Sequence, residues 1–383
     1  MLNNSVDNLA IKLHRKLRGK IEIKIKAKLD TARDLSLAYT PGVAAVCKEI
    51  AKNPKRAYKY TMKNNTVAVI TDGSAVLGLG DLGPLAALPV MEGKCAIFKK
   101  FAGINALPIC LATQKPHEIV KTVINIAPVF SGINLEDIAA PKCFEIEKKL
   151  SRALKIPVFH DDQHGTAIIV LAGLINALRV VNKKISQIKI VINGAGAAGY
   201  AITKLLRFAH ARHITVLDSK GIISKRRDYL YPHKKELIKL TLPTPQEGNL
   251  KDAIRGADVF IGVSKANLLK ISDVKKMNKN PIIFALANPI PEILPSEAKK
   301  GGAAVVATGR SDYPNQLNNA LVFPGFFRGL LEARITKVTD KMKLDAAHAL
   351  ASLIKKPIPN NIIPSIFDKR VVPKIAKAVA KFR

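Results

Sequence analysis

The sequence predicts an α/β protein of two domains, the second of which is a doubly wound parallel sheet of the Rossmann type. Three observations support this prediction. Strand-like and helix-like segments alternate along most of the 383 residues, a pattern typical of parallel sheets covered by helices. A chain of this length favours two or three domains. Segment 189–218, KIVINGAGAAGYAITKLLRFAHARHITVLD, contains a glycine-rich turn between a strand-like and a helix-like run.

The first half of the chain is predicted to form an N-terminal α/β domain over residues 1–160. Its predicted elements, in chain order, are a helix and an extended arm in 1–30, a turn at 39–42, a helix at 43–51, a strand at 66–71, two strand-like runs in 95–111, a helix at 116–127, a strand closing at 134–137, a helix at 141–154 and a short strand at 156–159. Alternating elements of this kind favour a parallel sheet in this domain too.

Residues 161–383 are predicted to form the nucleotide-binding domain with a C-terminal helical tail. The predicted elements are a buried helix at 166–178, the glycine-rich unit, and further strands at 258–263, 281–287 and 303–307, with a polar excursion at 225–248. The apolar run 166–178 is too short to span a bilayer and contains Asn176, so we expect a core helix and no membrane association.

The glycine-rich unit has the parts of a dinucleotide site in the required order. A β-branched run at 190–192 ends before GAGAAG, an apolar helical segment follows, and a second strand-like run stops at Asp218. Gly194 allows the tight turn, Gly196 lets the backbone approach a pyrophosphate, and Gly199 lets helix and strand pack closely. The helix N-terminus faces the phosphates, and Asp218 is placed to accept hydrogen bonds from a ribose. The candidate cofactor-binding residues of the loop are Gly194, Ala195, Gly196, Ala197, Ala198 and Gly199.

A second GxGxxG motif occurs at 78–83 and is not expected to bind a dinucleotide. Pro84 and Pro89 leave little room for a long helix after it, and no acidic residue lies between Glu92 and Glu118 to accept the ribose. We interpret it as a tight glycine-rich turn near the substrate site.

The charge and cysteine content argue against several classes of protein. The chain has 62 Lys and Arg against 29 Asp and Glu, a net charge of +33. These basic residues are spread in pairs, without a basic arm or aromatic–basic interleaving, so we do not expect nucleic acid as the main partner. A positive field would also collect anionic substrates. The four cysteines form no CxxC motif and the N-terminus shows no secretory pattern, which predicts a cytoplasmic protein without disulfides or a zinc site.

Two acidic pairs indicate a metal site. Glu136-Asp137 and Asp161-Asp162 each follow a short strand-like run, and the carboxyl ends of parallel strands form the ligand crevice. Four clustered carboxylates repel one another unless a cation lies among them, and Mg2+ or Mn2+ prefers such oxygen ligands. The HDDQH segment also resembles the zinc motif HExxH, but His160 should end a strand while His164 begins a helix. These two histidines are therefore interpreted as hydrogen-bonded structural residues.

Long segments, taken together, resemble the malic enzymes in their compact prokaryotic-type form. The matching segments run colinearly over nearly the whole chain: LDTARDLSLAYTPGVA (29–44), AVLGLGDLGPLAALPVMEGKCAIFKKFAGI (75–104), INLEDI (133–138), IPVFHDDQHGTAI (156–168), INGAGAAG (192–199), ALANPIPE (285–292), ATGRSDYPNQLNN (307–319), FPG (323–325) and IIPSIFDKRVVP (362–373). The resemblance implies oxidative decarboxylation of L-malate to pyruvate and CO2 with NAD+ or NADP+ and a divalent metal.

The resemblance also implies roles for individual acidic and basic residues. Glu136, Asp137 and Asp162 match the family's metal ligands, and Lys94 matches its catalytic lysine. A dry site or nearby cations lower a lysine pKa towards neutrality, which would allow Lys94 to take the hydroxyl proton. Asp161 would orient or tune Lys94.

Further matches concern the substrate and its product. Tyr39 in the YTPG turn matches the residue that protonates the enol carbon. Asn288 and Asn319 match amides that hold the substrate carboxylate, and Asn288 also faces the cofactor. Larger malic enzymes carry an arginine just before the GLGDLG segment, but Ala75 stands there, so a substrate carboxylate must be recognised from elsewhere.

The sequence favours one cofactor only weakly, and it allows two alternative functions beside the one that the resemblance implies. Asp218 favours NAD over NADP because a 2′-phosphate would meet its charge, although Ser219 and Lys220 could accommodate that phosphate. A homodimer is expected from the family. The alternatives are another two-domain oxidoreductase, such as an amino-acid dehydrogenase, and a nucleic-acid-binding protein that keeps a degenerate enzyme fold. Metal-dependent turnover separates the first alternative, and salt-sensitive DNA binding without turnover would favour the second.

Overall fold

The computed structural model describes residues 2–241 and 247–383, and side chains from residue 6 onwards. The first part of the chain forms a four-stranded sheet with helices around it. Its elements are α1 (Leu2–Leu17), α2 (Ala32–Ala38), α3 (Val43–Lys52), α4 (Ala57–Tyr60), β1 (Thr66–Thr71), α5 (Gly83–Ala102), β2 (Asn105–Cys110), α6 (Pro116–Ile126), β3 (Gly132–Leu135), α7 (Lys142–Ala153) and β4 (Val158–His160). The strands are parallel in the order β2-β1-β3-β4.

The second part forms a six-stranded sheet. Its elements are α8 (Asp161–Val181), β5 (Lys189–Asn193), α9 (Ala197–Phe208), β6 (His213–Asp218), β7 (Gly221–Ile222), α10 (Pro232–Leu240), α11 (Leu250–Ile254), β8 (Val259–Gly262), α12 (Ile271–Val274), β9 (Ile282–Ala285), α13 (Pro295–Lys300), β10 (Val305–Thr308), α14 (Phe323–Glu332), α15 (Asp340–Ala351) and α16 (Val371–Ala380). The order is β10-β9-β8-β5-β6-β7, and only β7 runs antiparallel to its neighbour. The strand order changes direction between β5 and β8: β6 and β7 lie on one side of β5, and β8, β9 and β10 follow on the other. Folds of this kind bind nucleotides at the point where the strand order changes direction.

The predicted two-domain α/β fold with parallel sheets is thus confirmed. The predicted boundary at residue 160 coincides with the last residue of β4. The polar excursion predicted at 225–248 contains α10, and its residues 242–246 lie outside the described part of the chain.

One element of the first domain was predicted wrongly. Two strand-like runs were predicted in 95–111, but the first of them is the C-terminal part of α5, a helix of 20 residues. The second run is β2. Pro84 stands in its first turn, where a missing N–H costs nothing, and Pro89 is accepted inside it. The argument that these prolines exclude a long helix after the second glycine motif is therefore wrong. Burial of Met91, Cys95 and Phe98 at helical spacing stabilises α5 and outweighs the local preference.

Helix α8 is the central helix of the molecule. Among the described residues it alone has the length and apolarity to cross a membrane, yet most of it is buried against α9 and α15. The Asn176 side chain donates to the carbonyl oxygens of Ala351 and Ile362, both at 2.9 Å. The predicted core helix is confirmed, and it begins earlier than predicted because Asp161 and Asp162 occupy its first turn, where carboxylates favour the helix dipole.

A cluster of phenylalanines joins the C-terminal helices to the first domain. Phe98 of α5 lies with its ring centroid 4.6 Å from that of Phe323 and 5.2 Å from that of Phe327. The ring centroid of Phe159, in β4, lies 4.9 Å from that of Phe326. Aromatic pairs at these separations stabilise a fold beyond the area they bury. The C-terminal segment therefore fixes α5 and the end of β4 relative to the second sheet.

Candidate active site

A cavity of about 720 Å³ lies where the carboxyl ends of both sheets meet. It is lined by residues that follow strands of the first sheet, such as Leu77, Asp137 and Asp162, and by residues that follow strands of the second, such as Ser264 and Asn288. The glycine turn at 78–83 contributes Gly78 to the wall, as predicted for a turn near the substrate site. Ligand crevices of α/β sheets occupy this position.

Strand register brings the acidic pairs together. Leu135 of β3 pairs with His160 of β4, so the residues after each strand emerge side by side. Oxygen atoms of Glu136, Asp137 and Asp162 all lie within 4.8 Å of one another. The Asp137 amide donates to Asp162 Oδ2 at 2.8 Å. The three residues predicted as metal ligands therefore form one compact cluster.

The donor set suits a hard divalent cation. Asp137 Oδ2 is buried and has no hydrogen-bond partner, although a buried carboxylate oxygen normally has one. Burial and the charges of neighbouring carboxylates raise the pKa values of Asp137, Glu136 and Asp162 above their usual range. A cation held among these oxygens would satisfy the unpaired atom and offset the repulsion, and Mg2+ or Mn2+ has the required preference for oxygen.

Lys94 lies beside this cluster. Its buried Nζ atom is 2.6 Å from Glu136 Oε1, donates a hydrogen bond to Asp161, and lies 4.3 Å from the centroid of the Phe323 ring. Burial lowers the pKa of Lys94 as expected, but the carboxylates of Asp161, Glu136 and Asp162 outweigh burial, and the pKa is raised. This direction is opposite to the shift towards neutrality expected from the sequence, because the carboxylates around Lys94 favour its charged form.

Asp161 is not one of the three clustered carboxylates, and its side chain instead accepts a hydrogen bond from Lys94. It is fully buried, and beyond the hydrogen bond from Lys94 its Oδ1 atom has no partner. Its side chain lies over Gly165, one turn later in α8, where a Cβ would not fit. This position of Asp161 agrees with the orienting role that the resemblance implies.

Glu147 of α7 holds the HDDQH segment from the opposite side, and the sequence analysis did not identify it. It accepts hydrogen bonds from the backbone amide of His160 at 3.0 Å, from Gln163 Nε2 at 3.1 Å and from His164 Nε2 at 2.8 Å. Burial opposes the charge of Glu147, but His164 and these donors lower its pKa to about 2. His164 is therefore a structural residue as predicted.

The histidines do not form a zinc site of the HExxH kind. His160 ends β4 and is fully buried, and neither of its ring nitrogens has a hydrogen-bond partner of normal geometry. The Ile138 backbone still acts on the ring as a hydrogen-bond partner that raises its pKa, so the structural role of His160 stays a prediction. Burial lowers the pKa of His160 to about 4, so the ring is neutral, and this neutral form costs least to bury without partners.

The dinucleotide loop has the predicted geometry. Gly194 has a φ of +127°, and a Cβ there would lie 2.6 Å from the carbonyl oxygen of Val263. A Cβ at Gly199 would not fit against Gly194, whereas Gly196 faces open space, as a close approach of pyrophosphate requires. Ala197 begins α9, and Ala198 lines the cavity.

Asp218 ends β6, but its carboxylate is not free. It accepts two hydrogen bonds from Arg227 at 2.8 and 3.0 Å, one from Lys234 Nζ at 2.7 Å and one from the Lys220 amide at 2.8 Å. Burial is offset by these cations, and the pKa of Asp218 falls to about 2. The sequence analysis missed Arg227 and Lys234, which lie in the polar excursion after β7.

The structure brings most of the remaining predicted residues to the cavity, with one exception. Asn288 and Asn319 both line it. Tyr39 does not, and its side chain is 65% exposed at the end of α2, a helix without buried residues. Further cavity residues that the sequence analysis did not identify are Lys20, Thr166, Ser264 and Phe323.

Comparison with known proteins connects this geometry to a family. Residues 18–151 match the family model described as "Malic enzyme, N-terminal domain", and residues 163–383 match "Malic enzyme, NAD binding domain". An NAD-dependent malic enzyme of Geobacillus stearothermophilus is 55% identical over 95% of this chain and 76% of its own length. A bifunctional malic/malolactic enzyme of Bacillus subtilis is also 55% identical, over 97% and 92% of the two chains.

Solved structures agree with these sequence matches. The crystal structure of an NAD-dependent malic enzyme from Thermotoga maritima superposes with a TM-score of 0.94 at 49% identity, covering 97% of this chain and 98% of the other. Malic enzyme from Entamoeba histolytica gives a TM-score of 0.95 at 39% identity, with 98% and 81% covered. The family models, these relatives, and a cavity that joins a carboxylate cluster to a dinucleotide loop lead to one conclusion: this chain belongs to the malic enzyme family.

Proposed function

We propose that the protein oxidises L-malate at C2 and releases pyruvate and CO2, with NAD+ as hydride acceptor and Mg2+ or Mn2+ as metal. One observation carries this proposal above the others. A buried lysine, Lys94, adjoins three carboxylates with a shared ligand position, in the same cavity that the dinucleotide loop reaches. A general base, a metal and a hydride acceptor are what the reaction requires in one place.

The residues of the chain divide the work of binding and proton transfer. Lys94 takes the proton of the substrate hydroxyl, and Asp161 fixes the direction of its amino group through their hydrogen bond. Asn288 and Asn319, which line the same cavity, bind substrate carboxylate oxygens. The Phe323 ring covers Lys94 and excludes water from it. Glu136, Asp137 and Asp162 would hold the metal.

Bound in this cavity, the nicotinamide would accept hydride, and the divalent ion would supply a Lewis acid and positive charge beside the carboxylates around Lys94. That positive charge would oppose the carboxylates that raise the Lys94 pKa, and burial would then favour the neutral amine that can take the hydroxyl proton.

The first experiment measures nicotinamide reduction by purified protein with L-malate and Mn2+, separately with NAD+ and NADP+. Pyruvate and lactate are quantified in parallel, and EDTA serves as the control. Metal-dependent reduction with stoichiometric pyruvate supports the proposal. Reduction without pyruvate would instead identify a non-decarboxylating dehydrogenase. No reduction by folded, metal-bound protein would overturn the proposed activity.

The setting of this activity is part of the proposal. The four cysteines at positions 47, 95, 110 and 143 are all unpaired, which suits a reducing cytoplasm. The partner is the small dicarboxylate rather than nucleic acid, and the net charge of +33 would attract that anionic substrate.

Cofactor choice is proposed to favour NAD only weakly. Asp218 would repel a 2′-phosphate, but Arg227 and Lys234 offset its charge and would themselves attract that phosphate. Replacing Asp218 with serine removes the repulsion and frees both cations. We expect the ratio of kcat/KM for NADP+ over NAD+ to rise by about 10- to 100-fold, which corresponds to roughly 1.4–2.8 kcal/mol. Steady-state kinetics at saturating malate measure the ratio.

The matched control for this prediction is Asp228→Asn, an exposed acid in the same polar excursion. It should leave the cofactor ratio unchanged. An unchanged ratio in Asp218→Ser would show that the ribose end of the cofactor does not reach Asp218.

Tyr39 is proposed to act in a homodimer, on the cavity of the second copy. Within one chain it lies outside the cavity, and neither α2 nor α3 has a buried residue. Large apolar side chains of this segment are exposed, including Leu35, Leu37 and Val46. Several exposed large apolar side chains in one segment suit an interaction site, and closed dimers are the commonest assembly.

A complementation experiment tests this assignment. Tyr39→Phe and Lys94→Ala are each expected to lose most activity as pure proteins. If Tyr39 acts across the dimer, a mixed dimer of the two variants contains one intact site, so co-expression should restore about a quarter of wild-type activity. Size-exclusion chromatography with light scattering establishes the dimer. Absence of recovery in confirmed mixed dimers would place Tyr39 in its own chain's site.

A further inference from the structure

The cavity must bind a substrate with two carboxylates, and only part of that task has been assigned. Asn288 and Asn319 provide neutral amides, and the metal cluster is itself negative. Ala75 stands where larger malic enzymes carry an arginine, and it lines the cavity without offering a charge. A dicarboxylate bound by amides alone would leave a desolvated anion without a cationic partner, which is costly.

The described residues that line the cavity include three basic side chains, His14, Lys20 and Lys94. Lys94 is already engaged by Glu136 and Asp161. His14 donates from Nδ1 to the carbonyl oxygen of Ala10 at 2.7 Å within its own helix. Lys20 therefore remains as the basic group available to an anion.

Lys20 is held in place against α5, and its Nζ forms no close ion pair, although the charge of Glu92 acts on it from nearby. Its backbone amide donates to Glu92 Oε2 at 3.1 Å, and its Nζ donates to the carbonyl oxygen of Pro89 at 2.5 Å. Both acceptors belong to α5, so the extended arm after α1 is fixed along that helix. Among the residues the structure describes, no carboxylate oxygen comes within 4.0 Å of Lys20 Nζ. An ammonium group has three donors, so two remain for another acceptor.

The position of Lys20 on α5 places its charge beside the reacting groups. A Cβ built on Gly93 would lie 3.5 Å from Lys20 Nζ, and Gly93 immediately precedes Lys94. The lysine is half-buried, and burial lowers its pKa more than Glu92 raises it. A partly desolvated cation with free donors gains more from an incoming carboxylate than an exposed one does.

We propose that Lys20 binds a carboxylate of the substrate and takes over the recognition that an arginine at position 75 would provide. This assignment rests on the proposed function, because it takes a dicarboxylate as the substrate of this cavity. Lys20 reaches the cavity from the N-terminal arm, whereas position 75 follows β1, so the same charge is supplied from a different element.

The test compares Lys20→Met with Lys24→Met, a matched removal of an exposed lysine from the same arm. Lys20→Met should raise KM for L-malate by about 10- to 100-fold while kcat changes less than about threefold, as expected when a charge-assisted hydrogen bond of ground-state binding is lost. Lys20→Arg should restore most of the affinity. Lys24→Met should match wild type.

A binding measurement makes the test independent of turnover. Calorimetry with tartronate, a non-decarboxylating dicarboxylate, and Mn2+ should show the same loss of affinity in Lys20→Met, and thermal unfolding checks that the variant folds. Wild-type KM and tartronate affinity in Lys20→Met would overturn the proposal. Equal losses in Lys20→Met and Lys24→Met would overturn it too, since they would reflect general charge. If wild type does not oxidise malate, the proposed function fails, and tartronate binding still decides whether Lys20 binds a carboxylate.

Discussion

Replacing Lys94 with alanine is expected to lower kcat for malate oxidation by about 10³-fold or more, since a positioned general base contributes up to about 10⁴-fold. Nζ is the basic atom that the cavity places beside the metal cluster, and Asp161 and Glu136 are arranged around it. No other described lysine lies in contact with that cluster. Stopped-flow measurement of the hydride step separates lost chemistry from slower product release.

Metal binding should survive in Lys94→Ala, because two of the three ligands directly follow β3 and the third lies in the first turn of α8, so none of them belongs to α5. The variant removes a buried cation, so Glu136 and Asp161 repel each other more strongly, and the metal-free protein should unfold at lower temperature. Mn2+ should recover much of this loss. Lys100→Ala, an exposed lysine on the same helix, is the control for helix disruption. Loss of Mn2+ binding in Lys94→Ala would assign Lys94 a structural role instead.

The sequence anticipated the second domain well because its parts are local. Strand, glycine turn, helix and Asp218 follow one another within 30 residues, and Gly199 packs directly against Gly194 of the same turn. The acidic pairs could be placed at one edge for a similar reason. Carboxyl ends of parallel strands share an edge whichever strands are neighbours, so Glu136 and Asp162 had to come close.

Features that depend on distant contacts could not be predicted in this way. Helix α5 was missed at residues 95–102 because its helical character comes from burying Met91, Cys95 and Phe98 against other elements, rather than from local propensity. Glu147 contacts His160, which is 13 residues away in sequence, and Lys20 contacts Pro89, which is 69 residues away. Neither residue is part of a sequence motif that would have predicted its contact.

The pKa shifts and charge partners of the site residues also could not be predicted from the sequence. The sequence analysis expected the Lys94 pKa to shift towards neutrality, but the direction of the shift depends on the balance between burial and three nearby carboxylates. Asp218 is a similar case, since its acidic character suggested a simple ribose acceptor until Arg227 and Lys234 were found bonded to it. A residue type does not report the charges that the fold places around it.

Replacing Asp137 with asparagine is expected to stabilise the metal-free protein and abolish metal-dependent activity together. Asp137 is buried, its Oδ2 atom has no partner, and burial together with the neighbouring carboxylates raises its pKa. Asparagine is nearly isosteric and tolerates the left-handed backbone at this position, where φ is 51°. Removing the charge should raise the free energy of unfolding in EDTA by about 1 kcal/mol or more, as one pKa unit corresponds to about 1.4 kcal/mol.

The same substitution should eliminate the stabilisation that Mn2+ gives to wild type, because one of three carboxylate ligands becomes neutral. Differential scanning calorimetry with EDTA and with Mn2+ measures both effects, and Asp228→Asn provides the control for an exposed acid. Opposite shifts in the two conditions would mean that these carboxylates are kept together for the cation and not for the fold. A variant that loses stability in EDTA as well would show that Asp137 contributes to folding through its charge, and the cluster would then be a structural element first.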